Sequence, residues 1–337
     1  MPSSIEWCQN PDGTPGEVWN PTVGCSRVSA GCEHCYAERM AHRGMAPQHR
    51  GLTTIGPSGH PRWTGEVRML HDRLSIPLHW KKPRRIFVNS MSDLFHEKVP
   101  FEFIAAVFGV TAACPQHTFM ILTKRDPRKW FDWVNSTNEP AGKLHNHLCD
   151  ILQGPEDWDP DDSICQQLLD NAYDWPLSNV WLGVSCENQQ TANQRIPWLL
   201  QLPAAVRFVS LEPLLGPVGL DNPHCSNCGI LREEISSGPD CDAPWCMHCD
   251  SEASYGHWLD PCADPKQAGI NWVIAGCESG PRARPMDEDW VRSIRDECQA
   301  EDVPFFFKQT VRDGKLVSTP ELDGKVWAQF PRNNAVP

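Results

Sequence analysis

Six short apolar runs recur along this chain, and each ends in polar residues able to do chemistry. They are Arg85–Asp93, Thr118–Arg125, Asn179–Asn188, Arg207–Pro213, Asn271–Gly280 and Val303–Gln309. Unbroken apolar runs rich in Val, Ile and Phe predict strands buried on both faces. Helical patterns lie between them, at Phe101–Ala113, Thr191–Leu202 and Asp287–Ala300, the last with Asp287, Glu288 and Asp289 in its first turn. Strand alternating with helix predicts a parallel sheet with crossover connections. Adding a first strand near Val18 brings the count to about seven, which suits an α/β fold built as a partial or complete (β/α) barrel. In a barrel the polar strand ends share one mouth.

The spacing of the runs divides the chain. Two intervals are about twice the length of one βα unit, which predicts insertions at 135–178 and 221–269. The core is then 1–134, 179–220 and 270–312, followed by a hairpin around Asp323-Gly324 and a tail over 313–337. At 337 residues and 40% hydrophobic, the chain can bury a large core. No basic segment followed by an apolar one opens it, and no apolar run is long enough to span a membrane. The expectation is a cytoplasmic protein with no membrane contact. Sixteen cysteines in such a chain point to metal or redox sites, not disulfides. A net charge of −13 argues against a broad grip on nucleic acid, while leaving room for a local basic groove.

Three cysteines fall within eleven residues, Cys25, Cys32 and Cys35, spaced C-x6-C-x2-C. Thiolates are soft ligands, and the tight pair places two sulfurs within reach of one metal centre. Gly24, Gly31 and polar neighbours make this a loop, so packing is a poor explanation. A closed structural zinc wants four ligands, whereas a three-cysteine iron–sulfur cluster leaves one iron open. Zinc with a remote fourth ligand is the rival.

The insertion at 221–269 carries a second set. Cys225-x2-Cys228 and Cys246-x2-Cys249, seventeen residues apart, match a zinc-ribbon template. Cys241, His248, His257 and Cys262 are further candidate ligands. A closed four-cysteine site favours a structural zinc over a catalytic one, and such ribbons also contact nucleic acids or proteins. The insertion at 135–178 is acidic around Glu156–Asp162, a pattern of solvated loops. Its His145, His147, Cys149 and Cys165 are too irregularly spaced for a metal set.

If the strand ends converge, Ser90, Asp93, Thr123, Lys124, Arg125, Ser185, Glu187, Asn188, Ser210, Glu212, Glu278, Ser279, Lys308 and Gln309 line one rim with the cysteines. Any one of them alone reads as a cap or a surface charge. Together, Lys124, Arg125 and Lys308 supply positive charge for a carboxylate or phosphate, and Glu187, Glu212 and Glu278 can hold an amine or act as bases.

The runs GCSRVSAGCEHCYAERMA, FVNSMSDLFHEKVP, LTKR, WLGVSCEN, EPLLGP, GCESGPRARPM and VPFFFKQ resemble the three-Cys-motif phage protein family. That family is similar, distantly, to the radical S-adenosylmethionine (SAM) enzymes. The resemblance implies that Cys25, Cys32 and Cys35 hold a [4Fe–4S] cluster whose open iron binds the amino and carboxylate groups of SAM. Reduction would release a deoxyadenosyl radical that abstracts a substrate hydrogen. Among the rim and loop residues, Asp93, Lys124, Glu187, Glu212 and Lys308 are expected as catalytic, and Tyr36, Ser185, Ser210 and Glu278 as cofactor-contacting. Two features depart from the superfamily pattern. The first cysteine interval is six where three is usual, and His34 precedes the third cysteine where an aromatic is usual, with Tyr36 one place after it. The implied substrate is a nucleotide or nucleic-acid base, modified or repaired, and a base in a duplex would first be flipped out. A protein partner is also implied. Two other expectations compete: a SAM-independent, transglycosylase-like barrel enzyme with structural zinc and Asp93, Glu187 or Glu212 as nucleophile, and a non-enzymatic zinc-binding interaction protein.

Overall fold

The structure is a computed structural model describing residues 5–44, 46–136, 140–152, 168, 170, 176–220, 269–280 and 282–331, with short backbone strands between 224 and 256. It is mixed α/β. Eight strands form a mostly parallel sheet, and their order along the sheet is their order along the chain. They are β1 (Glu17–Trp19), β2 (Arg85–Val88), β3 (Thr118–Thr123), β4 (Val180–Ser185), β5 (Val206–Leu211), β6 (Trp272–Gly276), β7 (Phe305–Arg312) and β8 (Lys315–Ser318). Helices flank the sheet: α1 (Tyr36–His42), α2 (Phe101–Ala112), α3 (Arg128–Asn135), α4 (Pro140–Leu152), α5 (Gln189–Leu200) and α6 (Glu288–Ala300). Contacts group the chain into two compact units, Met1–Leu182 and Gly183–Pro337.

In the first unit β1, β2 and β3 are parallel, with Val18 opposite Phe87 and Phe87 opposite Met120. Every residue of β2 is buried, as a strand covered on both faces requires. Helix α2 is buried from Phe103 to Ala112, and α3 and α4 pack against it. Trp130 of α3 stacks on Phe108 of α2 with ring centroids 4.4 Å apart, and Leu144 and Leu148 of α4 are buried. The region expected as an acidic insertion therefore opens with a core-covering helix. Its acidic centre, Glu156–Asp162, lies outside the described residues.

In the second unit β5, β6 and β7 are parallel, with Val209 opposite Val273 and Ile274 opposite Phe306. Asn188 caps α5 by accepting from the Thr191 amide at 3.0 Å, and Asp287 caps α6 by accepting from the Asp289 amide at 2.9 Å. The eighth strand was not expected. Asp313 and Gly314, both at positive φ, turn the chain back so that β8 pairs antiparallel to β7, Val311 opposite Leu316. Aspartate followed by glycine is the pair a tight hairpin favours. The expected hairpin at Asp323-Gly324 also forms, as a small ribbon of Glu321–Leu322 with Lys325–Val326. Among the described residues no helix is long and apolar enough to cross a membrane.

His117 sits in the first unit just before β3, 1% exposed, with the Trp80 and Phe119 rings edge-on to it. Burial holds its pKa below the ordinary 6.5, against the carbonyls of Pro77 and Trp80, which pull upward. Below pH 6.5 the unfolded chain then binds a proton that the folded chain refuses, so stability falls as pH drops from 6.5 towards the folded value. His117→Phe is expected to flatten part of that fall. Urea midpoints at pH 7.5 and 5.5 for both proteins check it; an unchanged difference between the two pH values would refute it.

Candidate metal centre and strand-end clusters

The cysteine loop is built on the end of β1 and zipped to the segment after β2. Asn89, in the left-handed region at φ 62, donates its amide to the Trp19 carbonyl at 2.8 Å. Asn20 Oδ1 accepts from the Met91 amide at 3.1 Å, and the Thr22 and Ser92 hydroxyls lie 2.8 Å apart. The Gly24 amide then donates to the Met91 carbonyl at 3.1 Å. Gly24 itself has φ +93, and a Cβ there would lie 2.2 Å from the Glu66 carbonyl oxygen. Only glycine fits the approach that delivers Cys25. Beneath the loop, Val23, Ala37, Ala41, Leu52 and Met91 form a small core of their own, with Cys35, Trp63 and Leu70 packed against it.

Two charged clasps hold the loop's length. Arg27 grips Glu38 of α1 in bidentate fashion at 2.8 and 2.6 Å, and Glu38 also accepts from the Trp63 amide at 2.9 Å. On the other side Asp93 ends the β2 segment as a buried acceptor. It takes the Thr123 hydroxyl at 2.8 Å, the Phe95 amide at 3.1 Å, the Lys124 amide at 3.0 Å and Arg125 Nη1 at 3.3 Å. Arg125 reaches on to Cys25 Sγ at 3.7 Å and to the Ser26 carbonyl and hydroxyl at 3.1 and 2.8 Å. His96 Nε2 lies 3.0 Å from the same hydroxyl. The Lys98 amide donates to His96 Nδ1 at 3.1 Å, so the neutral ring carries its proton on Nε2. Burial, then Arg125, holds this imidazole below its usual pKa.

Cys25, Cys32 and Cys35 are free thiols, each partly exposed. Burial, then Asp93, pushes Cys25 up to about 12, with Arg125 pulling it down. Burial also raises Cys35, against the amides of Glu38 and Ala37. A metal would therefore displace protons from these sulfurs. Among the described residues no group of three or more His, Cys, Asp or Glu side chains is placed to hold a metal ion. Three free thiols on one anchored loop are soft donors, the class that thiolate-bound metals and iron–sulfur clusters use. Tyr36 is 41% exposed and donates its hydroxyl to the Ser90 carbonyl at 2.6 Å.

Within the second unit the expected residues fall into three groups. Glu212 Oε1 lies 2.8 Å from Lys308 Nζ, and its Oε2 accepts from Ser210 Oγ at 3.0 Å. Ser185 Oγ donates to the Glu212 carbonyl at 3.0 Å. A Cβ at Gly276 would stand 3.0 Å from Glu212 Oε1, so the glycine leaves this carboxylate its room. Both side chains are partly exposed, 20% (Lys308) and 12% (Glu212), while the Glu212 Oε1 that faces Lys308 is buried. Glu187 differs sharply. Its side chain is 0% exposed and lies 3.3 Å from Arg195, itself 3% exposed, whose Nη1 also donates to the Ser185 carbonyl at 2.6 Å. Glu278 forms the third group, taking the Arg284 amide at 2.9 Å and its guanidinium at 3.1 and 2.5 Å, which pins the turn after β6. Burial, then Glu212, raises the Cys277 thiol to about 11, so it is neutral at pH 7.

The residues sequence reasoning missed are the partners: Ser26, His96, Arg27 and Glu38 around the cysteines, and Arg195 and Arg284 in the second unit. Arg125 read equally well as one half of a solvated doublet. Cys225 and Cys246 lie on short backbone strands, His224–Cys225 and Pro244–Cys246. Cys228, Cys249, Cys241, His248, His257 and Cys262 lie outside the described residues, as does Cys165.

A family model described as "Protein of unknown function (DUF5131)" matches residues 2–331. The chain belongs to that family. The match spans both units, so the cysteine loop and the strand-end groups are parts of one DUF5131 sequence. No curated protein and no solved structure matches the chain.

Two substitutions test the geometry. Gly24→Ala is expected to cost about 1–2 kcal/mol for the left-handed backbone and about 1–3 kcal/mol more for the overlap with Glu66. Urea denaturation reads the sum, and a loss below about 0.5 kcal/mol, the range of a neutral surface change, would contradict the placement. Glu187→Ala strands a buried guanidinium and is expected to cost about 3–5 kcal/mol. A loss no larger than that of an exposed control such as Glu301→Ala would show that Arg195 is not confined with it.

Proposed function

We propose that this DUF5131 chain is a radical-SAM-like iron–sulfur enzyme whose sheet forms a partial barrel and whose substrate is a nucleotide or nucleic-acid base. The observation that carries the reading is the gathering of three free thiols on one loop anchored to β1, the β2 segment and α1. Cys25, Cys32 and Cys35 would hold a [4Fe–4S] cluster. When bound, that cluster with SAM supplies one-electron chemistry and hydrogen abstraction. Strand order without a reversal is what a singly wound sheet requires, and it supports the barrel part of the reading. Free thiols suit a reducing, cytoplasmic setting.

The rest of the chemistry falls to side chains. Asp93 orients Arg125 and the Lys124 backbone, and Lys124 offers charge beside the loop. Lys308 supplies a cation for a carboxylate or phosphate, and Glu212, 2.8 Å away, accepts or returns a proton. Glu187 acts through Arg195 by holding the end of β4. Tyr36, Ser185, Ser210 and Glu278 serve cofactor contacts. A base held in duplex would be flipped to be reached. In the segment 221–269, Cys225, Cys228, Cys246 and Cys249 would hold a structural zinc, and a protein partner completes the proposal.

The partly exposed Glu212–Lys308 pair favours a second reading, a SAM-independent enzyme of base exchange with Glu212 as nucleophile. Metal analysis separates the two. Anaerobically purified and reconstituted protein is expected to hold about four irons per chain, lost in Cys25→Ala, Cys32→Ala and Cys35→Ala, with an electron paramagnetic resonance spectrum that changes on adding SAM. Zinc without iron after reconstitution would overturn the radical reading and leave Glu212→Gln as the test of the second.

A further inference from the structure

We propose that Arg125 is the positioning residue of the thiolate site: its guanidinium fixes Cys25 Sγ and biases a group bound there towards its reduced state. This rests on the cluster reading above. The warrant is the complete use of the guanidinium fork. Nε donates to Glu97 at 3.2 Å, Nη1 to Asp93 at 3.3 Å and to Cys25 Sγ at 3.7 Å, and Nη2 to the Ser26 carbonyl and hydroxyl at 3.1 and 2.8 Å. All five N–H groups are committed, so the contact with sulfur follows from the other four and is no chance approach.

The platform under the fork is itself fixed. The side chains of Arg125 and Asp93 are 9% and 8% exposed. Asp93 is locked by the Thr123 hydroxyl and two backbone amides. Ser26 is braced by His96. The cation therefore does not swing away when charge builds on the sulfur. A cation donating to a ligand sulfur stabilises the more electron-rich state, and hydrogen bonds to sulfur are among the levers that set cluster potentials. Lysine carries the charge but has only three donors on one point, so it cannot span Asp93, Ser26 and Cys25 together.

Two measurements on the full chain test this. The first needs no metal: urea midpoints of wild type, Arg125→Gln, Cys25→Ala and the double variant. The two single losses are expected not to add, the double variant losing less than their sum. Strict additivity would overturn the contact. The second is a potentiometric titration of reconstituted protein followed by electron paramagnetic resonance. Arg125→Gln, with its iron content retained, is expected to shift the midpoint negative of wild type, and Arg125→Lys to fall between. Coincident midpoints in proteins of equal iron content would overturn the bias while leaving the cluster reading standing. A wild-type chain that takes up no iron overturns the cluster reading and the bias with it, and the urea cycle then decides the contact alone.

Discussion

The first unit depends on what Asp93 does with its two oxygens. It stands at the end of the segment leaving β2 and accepts from the end of β3 through Thr123 Oγ1 and the Lys124 amide. It then orients Arg125, which holds the cysteine loop at Cys25 and Ser26. Three stretches far apart in sequence are thus tied at one carboxylate. A buried carboxylate is costly unless its acceptor sites are filled, and here four donors fill them. The same requirement ties β2, β3 and the loop to one another, because moving any of them would leave some of these groups unpaired.

The second unit treats its charges in two ways. Glu187 and Arg195 are sealed together, an arrangement in which attraction offsets desolvation without leaving a group for a ligand. Glu212, just past β5, and Lys308, inside β7 and not at the strand end the sequence pattern suggests, form a pair of the same kind whose side chains are partly exposed. A partly exposed pair can exchange one partner for a substrate group with local rearrangement; a sealed one cannot without unfolding its surroundings. The two glutamates looked equivalent as strand-end residues, and burial separates them into a brace and a reactive candidate.

Much of the scaffold was legible in the sequence. The buried strands β2, β4 and β6 are near-continuous apolar runs because both faces are covered, and α2 and α6 coincide with their apolar periodicity to within a residue or two. The second Asp-Gly hairpin was also written in the chain, at Asp313-Gly314, but one such dipeptide looks like another, and only pairing with β7 shows that it extends the sheet. Helix α4 was hidden by its setting: Leu144 and Leu148 mark a covered face, yet they precede an acidic stretch that dominates the composition of the region. Around the site, the cysteines announced themselves by spacing. Their holders did not, since Ser26, His96 and Arg125 act through contacts spanning about seventy to a hundred positions, and no local pattern encodes such a distance.

What the sequence determined by itself is the alternation of strand and helix, the three-thiol loop and the chemistry carried at each strand end. These follow from short-range physics: the pleat and helix periods, the stiffness of apolar runs, the turn preferences of glycine. Only the tertiary structure decided that strand order runs without a reversal, that Glu187 is sealed while Glu212 is partly exposed, and that Arg125 commits its whole fork around Cys25. Those are outcomes of burial and of pairing buried polar groups across distant segments. They exist only once distant segments share the same few ångströms.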